Sequence, residues 1–113
     1  MRAVAGQTYY FSGSFGAHRC SGTVELSFFD AQGRALQRFE SQIPAGREGG
    51  PKLADYAQAV VSGQAPPDAA TLSVRLVKGP TTIGNDSFLF FTLPALVRDH
   101  DNAAEAALSL IHI

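Results

Sequence analysis

Alternation of apolar and polar residues at period two is the feature that most restricts what this chain can become. In Thr8–Phe15, Tyr9, Phe11, Gly13 and Phe15 face one way while Tyr10, Ser12 and Ser14 face the other. Thr23–Phe29 repeats the pattern, with Val24, Leu26 and Phe28 against Thr23, Glu25, Ser27 and Phe29. Thr71–Val77 does so again, with Leu72, Val74 and Leu76 against Ser73, Arg75 and Val77. A helix cannot keep such rows on two faces, whereas a half-buried strand does so at every second residue. Asp30-Ala31-Gln32-Gly33 reads as a turn, because Asp suits its first position and Gly its last. Strand-like sequence resumes over Leu36–Ile43. Phe88–Leu93 is apolar on both faces, which predicts a central strand covered on each side. The spacing is that of hairpins rather than βαβ units, so the expected fold is all-β, an antiparallel β-sandwich.

The links between these rows are rich in turn residues. Pro44–Pro51 (PAGREGGP) reads as a loop, and Val77–Ser87 (VKGPTTIGNDS) as a long hairpin connection. Tyr56–Val61 suits a strand or one helical turn. The strand is favoured, because Pro66-Pro67 soon stops any helix. At the C-terminus Asn102 can cap a helix, Glu105 completes a capping box, and Ala103–Leu110 prefers helix. The expected organisation is therefore a sandwich over residues 1–98 and a short helix or tail over 99–113, outside the sandwich.

With 113 residues, the chain suits one modest core. A net charge of −1 supplies no basic field to draw in nucleic acid or an anionic membrane. The lone cysteine, Cys20, excludes an internal disulfide. MRAVAGQTYY holds no apolar run of signal-peptide length, and no segment approaches a membrane-spanning stretch. The expectation is a chain with no export address of its own, cytoplasmic or virion-associated as part of something larger.

Catalytic signatures are missing from the sequence. Gly13-Ser14-Phe15-Gly16 has the wrong spacing for a nucleophile elbow. Gly46–Lys52 fails as a phosphate loop, because Pro51 precedes the Lys and Leu53 stands where a hydroxyl would hold magnesium. His18, His100 and His112 lack zinc-ligand spacing. His18-Arg19-Cys20 can be read as a nucleophile with its base, as a ligand-binding corner or as plain structure. Alternation favours structure for Cys20, which is expected to face the core. Asp99-His100-Asp101 can be read as a divalent-ion site, but a solvated charged cap before the tail is favoured, and Asn85-Asp86-Ser87 fits the glycosylation sequon. No enzyme is expected.

If the apolar rows fill a core, the opposite faces collect Tyr10, Ser12, Ser14, Glu25, Ser27, Ser73 and Arg75. A ring, hydroxyls and one charge of each sign are what a sugar-binding face uses: the ring covers C–H patches and the charges bond hydroxyls. The same residues also suit an ordinary solvated sheet with Glu25 and Arg75 as a cross-strand pair.

Three stretches carry a family resemblance: Gly6-Gln7-Thr8-Tyr9 leading into a strand, the Phe28–Gly33 turn, and Ala65–Ala69 before an apolar strand. Over about Ala5–Leu96 the chain resembles jelly-roll, galactose-binding-like modules related to carbohydrate-binding families 4 and 9. It is similar especially to versions in bacteriophage tail and host-specificity proteins. The resemblance implies a non-catalytic module that binds a glycan weakly and in multiple copies, through Tyr10, Glu25 and Arg75 with His18 and Arg19 at the rim. It implies no cofactor beyond structural calcium, for which Asp30, Asp86 or loop carbonyls are the available oxygens. Family modules carry further strands before the Gly-Gln-x-Tyr segment, so a sandwich incomplete at its N-terminus is expected. Its unpaired edge would favour a second copy or the protein subunits of an assembly. The competing expectation is a structural or assembly module of the same fold.

Overall fold

The computed structural model describes residues 1–43, 56–82, 84, 87–98 and 111–112. Among these the chain forms strands β1 (Thr8–His18), β2 (Gly22–Phe29), β3 (Ala35–Ile43), β4 (Ala57–Gln64), β5 (Thr71–Lys78), β6 (Phe88–Arg98) and β7 (Ile111–His112). They pair antiparallel in two sheets, ordered β4-β1-β6-β7 and β3-β2-β5. Packed face to face, the sheets make the expected all-β sandwich.

The alternating rows meet in the middle. Tyr9, Phe11 and Phe15 from β1 are buried with Val24, Leu26 and Phe28 from β2 and Leu72 from β5. Each such side chain contributes about 1.5–3 kcal/mol on burial, which makes this layer the main source of stability. Tyr9 keeps its ring inside, 5.9 Å from that of Phe28, while its hydroxyl accepts the Val4 N–H at 2.7 Å. Cys20 is fully buried, as expected, and its thiol donates to the Phe88 carbonyl at 3.4 Å.

One side of the sandwich closes through an aromatic ring laid on bare backbone. Phe39 of β3 stands edge-on to Phe28, 6.2 Å between centroids, and faces Gly63 of β4. A Cβ at Gly63 would overlap the Phe39 ring. β3 and β2 both approach β4 here.

Among the described residues β2 and β3 are joined by a tight turn into a hairpin. The Val77–Ser87 segment, expected as a hairpin connection, instead joins β5 in one sheet to β6 in the other. The reason is that β5 pairs with β2 while β6 pairs with β1, and the two apolar rows must face each other. Between Ser12 and Ser14 the β1–β6 register slips by one residue, so that Leu93 and Pro94 face Gly13. A bulge is where a strand tolerates a residue without an N–H, which accounts for Pro94. The expectation that Phe88–Leu93 is covered on both sides is not met, since Phe88, Phe90 and Phe91 are about half exposed. Phe88 and Phe90 stand on the outer face of their sheet, opposite His18 and Gly16, whereas Leu89 and Leu96 of the same strand pack on the core.

At the N-terminus, Leu72 N–H donates to Met1 O at 2.8 Å and Ala3 N–H to Ala70 O at 3.0 Å. Arg2 bridges Thr71, so these residues run along the outer edge of β5. The loop expected at 44–51, the charged cap at 99–101 and the helix expected at 103–110 lie outside the described residues. Ile111–His112, expected in a tail outside the sandwich, instead pairs with Leu96 and Ala95 of β6. β-branched isoleucine suits that strand.

Replacing Gly63 with Ala is expected to cost about 1–3 kcal/mol in urea denaturation, the usual penalty for overpacking a closed site. Pairing it with Phe39→Leu, which vacates the ring plane, should recover part of that loss. A Gly63→Ala protein as stable as the parent would contradict this packing.

Candidate functional site

Each sheet has an outer face, and the polar residues expected to share one face are divided between the two. Glu25, Ser27, Ser73 and Arg75 lie on the outside of β3–β2–β5. Tyr10, Ser12 and Ser14 lie on the outside of β4–β1–β6, behind the buried Tyr9 and Phe11. Tyr10 is thus one sandwich thickness away from Glu25 and Arg75.

On the β3–β2–β5 face, Glu25 sits in the central strand directly opposite Glu40 of β3 and Arg75 of β5. Two acids facing each other across a ladder repel. Arg38 offsets this by reaching Glu40 at 2.9 Å and Glu25 at 3.2 Å. Arg75 Nη2 donates to both Glu25 oxygens, at 2.9 and 3.3 Å, and its Nε adds a third bond at 3.3 Å. The Glu25 side chain is 7% exposed, against 55% for Arg38 and 69% for Arg75. The buried member of the cluster is therefore the acid. The arginine heads keep N–H donors turned to solvent, and with Glu40 the four charges balance.

Beside this cluster lies an open concavity of about 490 Å3, lined by Glu25, Ser27, Phe29, Leu36, Arg38, Ser73 and Arg75. The half-buried Phe29 supplies its aromatic wall. Arg38 and Phe29 were not singled out in the sequence, although Phe29 occupies the same outward row as Glu25 and Ser27.

The turn before β3 holds this wall in place. Asp30 Oδ1 accepts the N–H groups of Gln32 and Arg34, both at 2.9 Å, and Oδ2 accepts Arg34 Nε at 2.9 Å. Gly33 takes a positive φ of 80°, which glycine adopts without strain. These bonds, the Arg34 backbone N–H foremost, hold the Asp30 carboxyl below its ordinary value of 3.8, against the opposing effect of desolvation. Both Asp30 oxygens are committed within the turn, and Asp86 lies outside the described residues. Among the described residues no group of three or more His, Cys, Asp or Glu side chains converges.

The expected rim residues sit at the end of β1. His18 is directly opposite Phe88 and stacks on it, 6.2 Å between centroids, and Phe88 in turn lies 6.0 Å from Phe90. With Tyr10 and Val60 these rings make the outer β4–β1–β6 face partly apolar. Arg19 turns the corner in the left-handed region, φ 58°, and its carbonyl accepts the Thr82 N–H and hydroxyl. His18 thus belongs with the aromatic face rather than with Glu25.

No protein-family model, curated protein or solved structure matches the chain.

Because folding depresses the Asp30 pKa, its stabilising contribution is complete above the ordinary carboxylate value and is lost as pH falls through the folded one. Asp30→Asn should therefore be less stable than the parent at neutral pH, with the gap closing in acid below about pH 4. Thermal melts across that range check it, and a gap that is constant with pH would contradict the turn's electrostatics.

Proposed function

We propose that the chain is a non-catalytic binding module whose β3–β2–β5 face takes a neutral, polyhydroxylated ligand such as a glycan segment. The observation that carries this reading is the cluster of Glu25, Glu40, Arg38 and Arg75, balanced in charge, beside Phe29 and an open concavity. Balanced charge gives no preference for an ionic ligand. Exposed guanidinium N–H groups and the hydroxyls of Ser27 and Ser73 supply directional bonds, and the Phe29 ring a surface for C–H groups. The concavity is shallow, so single contacts are weak, and useful avidity comes from several copies displayed together. That arrangement agrees with the resemblance to modules of phage tail and host-specificity proteins.

Half-exposed Phe88 and Phe90 favour a second reading, an assembly module whose β6 face meets another protein.

A glycan array probed with multivalent protein separates them. Binding to a defined sugar class should disappear in Arg75→Ala and Arg38→Ala, whose exposed positions put their stability cost under about 1 kcal/mol each. Tyr10→Ala, on the opposite face, should bind as the parent does. A folded protein that binds no glycan, or one silenced by Tyr10→Ala alone, would count against the proposal.

A further inference from the structure

A strand at the edge of a sheet offers unpaired N–H and C=O groups, and proteins usually protect such edges with charge, proline, bulges or a covering segment. Three edges of this sandwich carry such protection. β3 bears Arg38 and Glu40. β5 is lined at its start by Met1–Ala3 and bears Arg75 and Lys78. β6 is met on its outer side by β7, at Ala95 and Leu96. β4 differs. Its 8 residues, AQAVVSGQ, contain neither a charge nor a proline. It ends the sheet order, and among the described residues nothing pairs with its outer side.

We infer that β4 pairs antiparallel with β4 of a second copy of this chain, about a two-fold axis through Val60. The occupant follows from the strand's own pattern. About Val60 the outward row reads Gln58, Val60, Ser62, a polar–apolar–polar set that matches itself when reversed. The inward row, Ala57, Ala59, Val61 and Gly63, is small and apolar throughout, so reversal brings no charge or bulk into conflict. In that register Val60 lies on its own copy, and Gln58 lies beside Ser62 of the partner in both directions, the self-complementarity that a two-fold interface requires. Val60, 50% exposed in the single chain, is covered by its twin. The pairing joins the two β4-β1-β6-β7 sheets into one. It leaves both β3–β2–β5 concavities open, so each dimer displays two copies of that face.

Sedimentation equilibrium from about 1 µM to about 1 mM tests the inference, since that span brackets the weak affinities expected of edge pairing. The parent should dimerise with rising concentration, and Val60→Thr should do likewise. Val60→Lys should weaken the dimer at least about tenfold by placing like charges directly opposite. Because Val60 faces solvent, circular dichroism of Val60→Lys should match the parent. A second readout does not depend on that variant. Val60→Cys should form a disulfide between copies on mild oxidation, because directly opposed residues lie about 4.5–5.5 Å apart at Cα, within disulfide reach. A chain that stays monomeric throughout overturns the inference. So does a dimer that Val60→Lys leaves intact and Val60→Cys fails to cross-link.

Discussion

The contact of the Phe39 ring with the bare backbone at Gly63 sets how near the two sheets come along the side where β3 meets β4. Phe28 stands edge-on to Phe39, and Tyr9 packs on Phe28, so one run of rings crosses from the outer strand of one sheet to the second strand of the other. Close-packed interiors transmit small changes in volume, and a methyl group at Gly63 would be felt along that run. Once the inner rows are locked in this way, period-two alternation leaves no choice about what stands outside. Tyr10 is turned outward because Tyr9 and Phe11 are turned in, and Glu25 because Val24 and Leu26 are.

The energetic contrast between the layers follows. Each buried ring or branched aliphatic contributes about 1.5–3 kcal/mol, whereas an exposed ion pair contributes at most about 1 kcal/mol. Taken singly, Arg38 or Arg75 therefore matters little to folding, since the other still partners Glu25. What they do is partner Glu25, whose carboxylate is almost covered and would be costly to leave without them. Two arginines on one acid also make the arrangement tolerant, since either can leave while the other keeps Glu25 bonded. On the proposed reading, a face that is secure without any one of its arginine donors turns those donors to a ligand.

Much of this fold is legible in the sequence, for physical reasons that also mark where legibility ends. The rows in Thr8–Phe15, Thr23–Phe29 and Thr71–Val77, the Asp30–Gly33 turn and the inward Cys20 all follow from short-range rules. Alternation separates inside from outside, but it does not say which sheet a strand joins. Tyr10 and Glu25 both read as outward, and only strand pairing puts them on opposite faces. Register was hidden for a related reason. Counting back from the turn, where Phe29 faces Ala35, would set Arg38 opposite Leu26 in the core. The slip at Leu36 sets Phe39 there instead and turns Arg38 out to Glu25. The signal for that bulge was present in the cost of burying Arg38 against the gain of burying Phe39. Phe88–Leu93 differs from its reading because an apolar run reads as covered on both faces, whereas the inner side of β6 meets the core and Phe88 and Phe90 stand on the outer face.

The most direct test of this layering is a two-dimensional proton NOESY spectrum of the folded chain with assigned aromatic and glycine resonances. The account predicts cross-peaks from the Phe39 ring to Gly63 Hα and from Tyr9 to Phe28, with Gly63 Hα shifted by the ring current above it. It predicts none between the Tyr10 ring and the side chains of Glu25 or Arg75. Cross-peaks joining Tyr10 to Arg75, or a Gly63 signal with no Phe39 contact, would contradict it, because the two outer faces would then not be the ones described.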